Sequence, residues 1–180
     1  PRNLLLNQYK QDLDKGKNIL LFNCRKEEHV VAEILYITAN ALSSQSIYSL
    51  SNFYLNLSKY LNDEFISYDT LMAENFFNVK NFKKAKKIYN NLSKNGEAFH
   101  WYSSKQLARI LLLEGNKNEG LKLLNKSYNN LLNKKLYETF DYAEFLKNNE
   151  KFEESIPFYT SIINQIKKNR PLYTEATDGR

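Results

Sequence analysis

At 180 residues and a formal net charge of +6, the chain is long enough to bury a sizeable core and is moderately basic. No apolar run approaches the roughly eighteen residues that a membrane-spanning helix needs. A single cysteine, Cys24, excludes an internal disulfide and any cysteine-cluster metal site.

Residues 3–14 form the first predicted helix, with Leu4, Leu5, Tyr9 and Leu13 roughly on one side, and Lys15-Gly16-Lys17-Asn18 ends it. The apolar run 19–24 and the charged run 25–28 belong to a linker over 15–28 whose apolar stretch is expected to dock on the first repeat unit. Residues 1–31 are thus an N-terminal helix plus linker.

From residue 32 a period takes over. Ala73, Ala108 and Ala143 stand 35 residues apart, and twelve residues after each comes a second small residue: Ala85, Gly120 and Ser155. Three residues after each alanine is Phe76, Leu111 or Leu146, and four after each second small residue is Tyr89, Leu124 or Tyr159. Thirty-four residues before Ala73 is Ala39, with Leu42, Ser51 and Leu55 in the matching places. Such a period, with paired small positions, is the signature of a helical-repeat solenoid.

In the second unit, helix A is expected over 68–78, with Met72, Ala73, Phe76 and Phe77 at helical spacing. The turn is Asn78-Val79-Lys80-Asn81, and helix B over 82–93 aligns Phe82, Ala85, Ile88, Tyr89 and Leu92. The corresponding turn of the fourth unit is Lys147-Asn148-Asn149-Glu150. Two antiparallel helices approach closely only where a side chain is nearly absent, which the small residues provide. One hairpin cannot bury both of its faces, so neighbours must stack. Gly120 and Pro157, each inside a helix B, predict less regular third and fourth units. An opening on Pro1 and a last segment that reads as the start of another helix A lead us to expect a piece of a longer protein.

On these residues the chain resembles the tetratricopeptide repeat (TPR) family. The resemblance rests on segments 68–92, 104–127 and 139–162, on 35–58, and on helix-B openings such as Phe82-Lys83-Lys84-Ala85 and Phe152-Glu153-Glu154-Ser155. It is similar to the arrays of larger bacterial, alphaproteobacterial-type TPR proteins. The resemblance implies an all-α, right-handed superhelical solenoid of antiparallel helix hairpins. Four units fall at about 32–65, 66–100, 101–135 and 136–170, with 171–180 beginning a further, truncated one.

The resemblance also implies a concave groove, lined by the A helices, that holds a protein or peptide partner. Its positions here are Glu33, Tyr36 and Asn40; Thr70, Glu74 and Phe77; Tyr102, Lys105, Arg109 and Leu112; and Tyr137, Phe140, Glu144 and Lys147. Lys105 and Arg109 are four apart, so both can reach one carboxylate, or Glu74 and Glu144 can neutralise Arg109. The carboxylate clamp of chaperone-binding members is broken. Asn40 fits one place, but Tyr36 replaces the clamp's lysine and Leu71 its second asparagine.

Catalytic chemistry finds no constellation here. His29 and His100 have no ligand partners at metal spacing. Cys24 lacks an oriented base and an oxyanion site. The pairs Glu27-Glu28 and Glu153-Glu154 point apart on a helix, and no glycine-rich phosphate loop exists. No catalytic residue, cofactor or metal is expected. The basic run Lys80, Lys83, Lys84, Lys86 and Lys87 reads as a solvated outer helix face, making nucleic acid the lesser expectation. The function expected is a non-catalytic protein-interaction scaffold. The alternatives are an RNA-binding helical-repeat protein or a targeting module for an enzyme domain outside these residues. Cytoplasmic and periplasmic or envelope-associated locations both stay open.

Overall fold

The computed structural model describes residues 3–17, 25–168 and 170–180, and these form ten α-helices. They are α1 (Leu4–Asp14), α2 (Glu27–Ser44), α3 (Tyr48–Leu61), α4 (Ser67–Asn78), α5 (Phe82–Leu92), α6 (Glu97–Leu113), α7 (Lys117–Asn129), α8 (Leu136–Lys147), α9 (Phe152–Gln165) and α10 (Pro171–Gly179). The chain divides into two compact units, Pro1–Ile110 and Leu111–Arg180, with the division inside α6. The expected all-α architecture of helices packed in sequential pairs is what the chain adopts. The expected docking of the 19–24 run, and Cys24 with it, lies outside the described residues.

In the first unit, α2 pairs with α3 and α4 with α5. The small positions read from the sequence are the tightest points: Ala39, Ser51, Ala73 and Ala85 are all fully buried. Leu55 and Tyr89, four residues after the second small position, are fully buried as well. Ser51 Oγ donates to the Ala39 carbonyl at 2.8 Å, so its hydroxyl bridges the two helices of the first hairpin. One core layer gathers Ala32, Ala39, Leu55, Tyr68, Leu71 and Met72, so α4 closes the hairpin before it. The next gathers Ala73, Ala85, Tyr89, Leu92, Phe99 and Ile110, and there α6 takes the same part. This sharing of a core between neighbours is what lets short hairpins be stable.

In the second unit, Gly120, Ala143 and Ser155 are buried, with Leu124 and Tyr159 beside them fully so. Tyr128 stacks on Tyr142 at 4.4 Å between ring centroids, and Phe158 meets both rings edge-on. Pro157 sits inside α9 without ending it. The helix α10 buries Leu172 and Ala176 against α8 and α9. It comes so close that a Cβ on Gly179 would lie 2.6 Å from the Tyr159 ring.

Helix boundaries in the second hairpin fall within a residue of expectation. Two A helices start earlier than the period suggests, α2 at Glu27 and α6 at Glu97. Both first turns carry acid, Glu27 and Glu28 in α2 and Glu97 in α6, which suits the positive end of the helix dipole.

Candidate binding surface

In the first unit, α2, α4 and α6 carry most of the residues assigned to a groove. Four of them, Tyr36, Asn40, Thr70 and Glu74, line one cavity of about 220 Å³ together with Ser67, Leu71 and Phe99. That volume lies below the roughly 300 Å³ at which small-molecule pockets begin. The remaining wall comes from Asn3, Leu4 and Leu5, at the start of α1. The N-terminal helix therefore lies against the A-helix side of this unit. Leu4 and Leu5 pack on the core layer that contains Ala73 and Phe99.

The side chains are held in place by specific contacts. The Tyr36 ring meets Phe65 edge-on at 5.5 Å and lies 5.4 Å from that of Tyr68. Tyr102 donates its hydroxyl to Glu74 Oε1 at 2.6 Å and packs on Tyr89. Burial, with Glu33 and Glu74 nearby, raises the Tyr36 phenol above its ordinary value. Burial raises the Tyr102 phenol further, helped by Tyr89 and Glu74. Both groups are therefore protonated donors. Thr70 Oγ1 is buried and has no hydrogen-bond partner among the described residues.

Lys105 and Arg109 occupy successive turns of α6 and face different rings. The Lys105 ammonium lies 6.0 Å from the Trp101 ring centre, and the Arg109 guanidinium lies 5.0 Å from that of Phe77. Arg109 is exposed and donates to Gln106 Oε1 at 3.1 Å. Glu74 accepts from the Tyr102 hydroxyl, and the Arg109 guanidinium lies at the surface over Phe77.

In the second unit, α8 carries further candidates. Tyr137 is 49% exposed. Phe140 is 9% exposed and belongs to the core with Ala143, Tyr159 and Ile162. Glu144 accepts from Lys147 Nζ at 2.6 Å and from the Tyr159 hydroxyl.

Sequence reasoning missed Gln8, Gly96 and Asn75. Gln8 falls between Leu4 and Leu5 around a short helix, where a polar residue looks like a break in the apolar face, and nothing in the sequence says that it is buried. Asn75 stands where the third unit has the buried Ile110, and it is fully buried itself. Of the basic run, Lys80 in the turn before α5 and Lys83, Lys84 and Lys87 on α5 are exposed, whereas Lys86 is half-buried; Lys84 sits over the Phe76 ring at 5.0 Å. Among the described residues no three His, Cys, Asp or Glu side chains cluster at metal-binding distance. No described helix is long and apolar enough to cross a membrane.

No protein-family model matches the chain, and no curated protein matches it. Among solved structures it is similar to that of YrrB, described as a TPR protein with an unusual peptide-binding site. The identity is 14% and the TM-score 0.48, over 96% of this chain and 89% of the other.

Proposed function

We propose that this chain is a non-catalytic scaffold of TPR type that holds a protein partner on the A-helix side of its first unit. The observation that carries the reading is the gathering of Tyr36, Asn40, Thr70 and Glu74 around one cavity. Aromatic walls, an unpartnered hydroxyl and the exposed Arg109 on α6 offer an apolar seat with polar contacts at its edge. Such a mixture suits a peptide or helix, which needs burial for affinity and a few polar contacts for register.

The test is a pull-down from native lysate with the 180-residue chain, with and without nuclease, beside the double variant Lys105→Glu/Arg109→Glu. A protein that survives nuclease and is lost with the variant supports the scaffold. Recovery of RNA that disappears with nuclease and raised salt moves the site to the lysines of α5 and overturns it.

A further inference from the structure

The N-terminal helix is bound to the first unit through a device that a partner could copy. The first backbone N–H groups of any helix lack an intrahelical acceptor, and a side chain at the N-cap ordinarily supplies one. At α6 the N-cap is Gly96, whose carbonyl accepts from His100 N at 2.8 Å and which has no side chain to offer. Gln8 of α1 fills that role: its Oε1 accepts from Ala98 N at 3.0 Å, ninety positions away in the chain. Gln8 is 4% exposed, and its amide is steadied by donation to Asp12 Oδ2 at 3.1 Å. The seat is cut for it, because a Cβ on Gly96 would lie 2.2 to 2.4 Å from the Gln8 amide group.

The rest of α1 is lightly held. It has eleven residues; Asn3 caps it by accepting from Leu6 N at 3.0 Å, but no acid in its first turn and no base in its last offset the helix dipole. Isolated helices of that length are marginal in water. Gln8 is its one buried residue, Leu4 and Leu5 are half-buried, and Leu6 and Leu13 are 56% and 62% exposed. Beside Leu4 and Leu5 the cavity of about 220 Å³ stays unfilled. A helix with bulkier side chains at those two places would fill the same seat better.

We infer that α1 is a cis occupant of the partner site. The trans ligand is an amphipathic helix with two adjacent large apolar residues followed three positions later by glutamine, the spacing of Leu4, Leu5 and Gln8 in α1. This rests on the scaffold reading and names the partner's chemistry. A trans helix must displace α1, so the chain is partly self-inhibited. If α1 is seated in about nine molecules of ten, apparent affinity falls about tenfold.

The probe is a fluorescent synthetic peptide with the sequence of residues 3–14, titrated into the full chain and its Leu4→Asp/Leu5→Asp variant by anisotropy. Circular dichroism melts establish that the variant retains its hairpins. The expected result is binding to the variant about tenfold tighter than to the wild type, abolished when the peptide carries Gln8→Ala. Should the double variant not fold, Gln8→Ala in the chain, which removes the amide's bonds to Ala98 and Asp12 but leaves Leu4 and Leu5 in place, is expected to tighten peptide binding severalfold. Equal affinity for wild type and variant, or no binding to the folded variant, overturns the inference. Nuclease-resistant, Arg109-dependent capture of a protein alongside a peptide that does not bind would leave the scaffold standing and remove the cis occupant.

Discussion

Lys80 and Gly115 hold the same place in successive hairpins, each seven residues after the helix-A alanine, and both have positive φ, 58° and 85°. Ser46 and Glu150 complete the series at 64° and 66°. In every case the next residue's N–H returns to a carbonyl in the last turn of the helix: Ile47 to Leu42, Asn81 to Phe76, Asn116 to Leu111, Lys151 to Leu146. This is the Schellman ending of a helix, whose left-handed residue is most often glycine. Only the third hairpin has glycine there. Lys80→Gly and Glu150→Gly should therefore each stabilise the chain by about 0.5–1 kcal/mol, the relief of left-handed strain less the added chain entropy. Gly115→Ala, with open space around its Cβ, should destabilise by about 1 kcal/mol through backbone strain alone. Urea midpoints decide this; a lower midpoint for Lys80→Gly would count against the argument.

Asn75 ties the first hairpin to the second. Its Nδ2 donates to Ser51 Oγ at 2.8 Å and Asn52 Oδ1 at 2.9 Å, while its Oδ1 accepts from Ser43 Oγ at 2.6 Å. Cutting it to alanine strands part of this network and opens a cavity in a fully buried place. The expected loss for Asn75→Ala is about 1–3 kcal/mol, read from chemical denaturation. A loss no larger than that of an exposed control such as Asn90→Ala would show that water replaces the network at little cost.

These two features mark the limit of what the sequence discloses. Alanines and apolar residues at fixed spacing announced the helices and crossings, because burial at a crossing constrains size strongly. The left-handed turn residues were silent, since lysine, serine and glutamate there are tolerated at a cost rather than selected for the shape. Asn75 was silent because a polar residue on an apolar stripe looks like a lapse in the pattern until its partners from α2 and α3 are known. The N-terminal helix was legible, but not where it sits. Its docking depends on Gln8 and Gly96, far apart in the chain, and neither carries a hydrophobic signal.

The helix crossings admit no added bulk. Ala73 and Ala85 are fully buried in a layer with Tyr89, Leu92, Phe99 and Ile110. Ala73→Leu has to push these apart, at a cost of about 1–3 kcal/mol. The same change at exposed Lys83 should move the melting temperature little. An unchanged melting temperature for Ala73→Leu would mean that the crossing is looser than its burial implies.

Alkaline pH should loosen the first unit through its tyrosines. Tyr68 is 1% exposed, and burial, with Glu33 and Tyr36 nearby, pushes its phenol up to about 12. Tyr89 and Tyr102 are raised as well, first by burial. An unfolded chain releases these protons near about pH 10, while the folded one retains them. The unfolded state then binds fewer protons, so stability is full below about pH 10 and falls as pH rises through the folded values. The melting temperature should accordingly hold to about pH 9 and decline steadily toward about pH 12. In Tyr68→Phe the decline should be shallower. Its neutral-pH stability should be nearly unchanged, because the buried Tyr68 hydroxyl has no hydrogen-bond partner among the described residues. If wild type and Tyr68→Phe decline with the same slope, the buried phenol does not govern the alkaline transition.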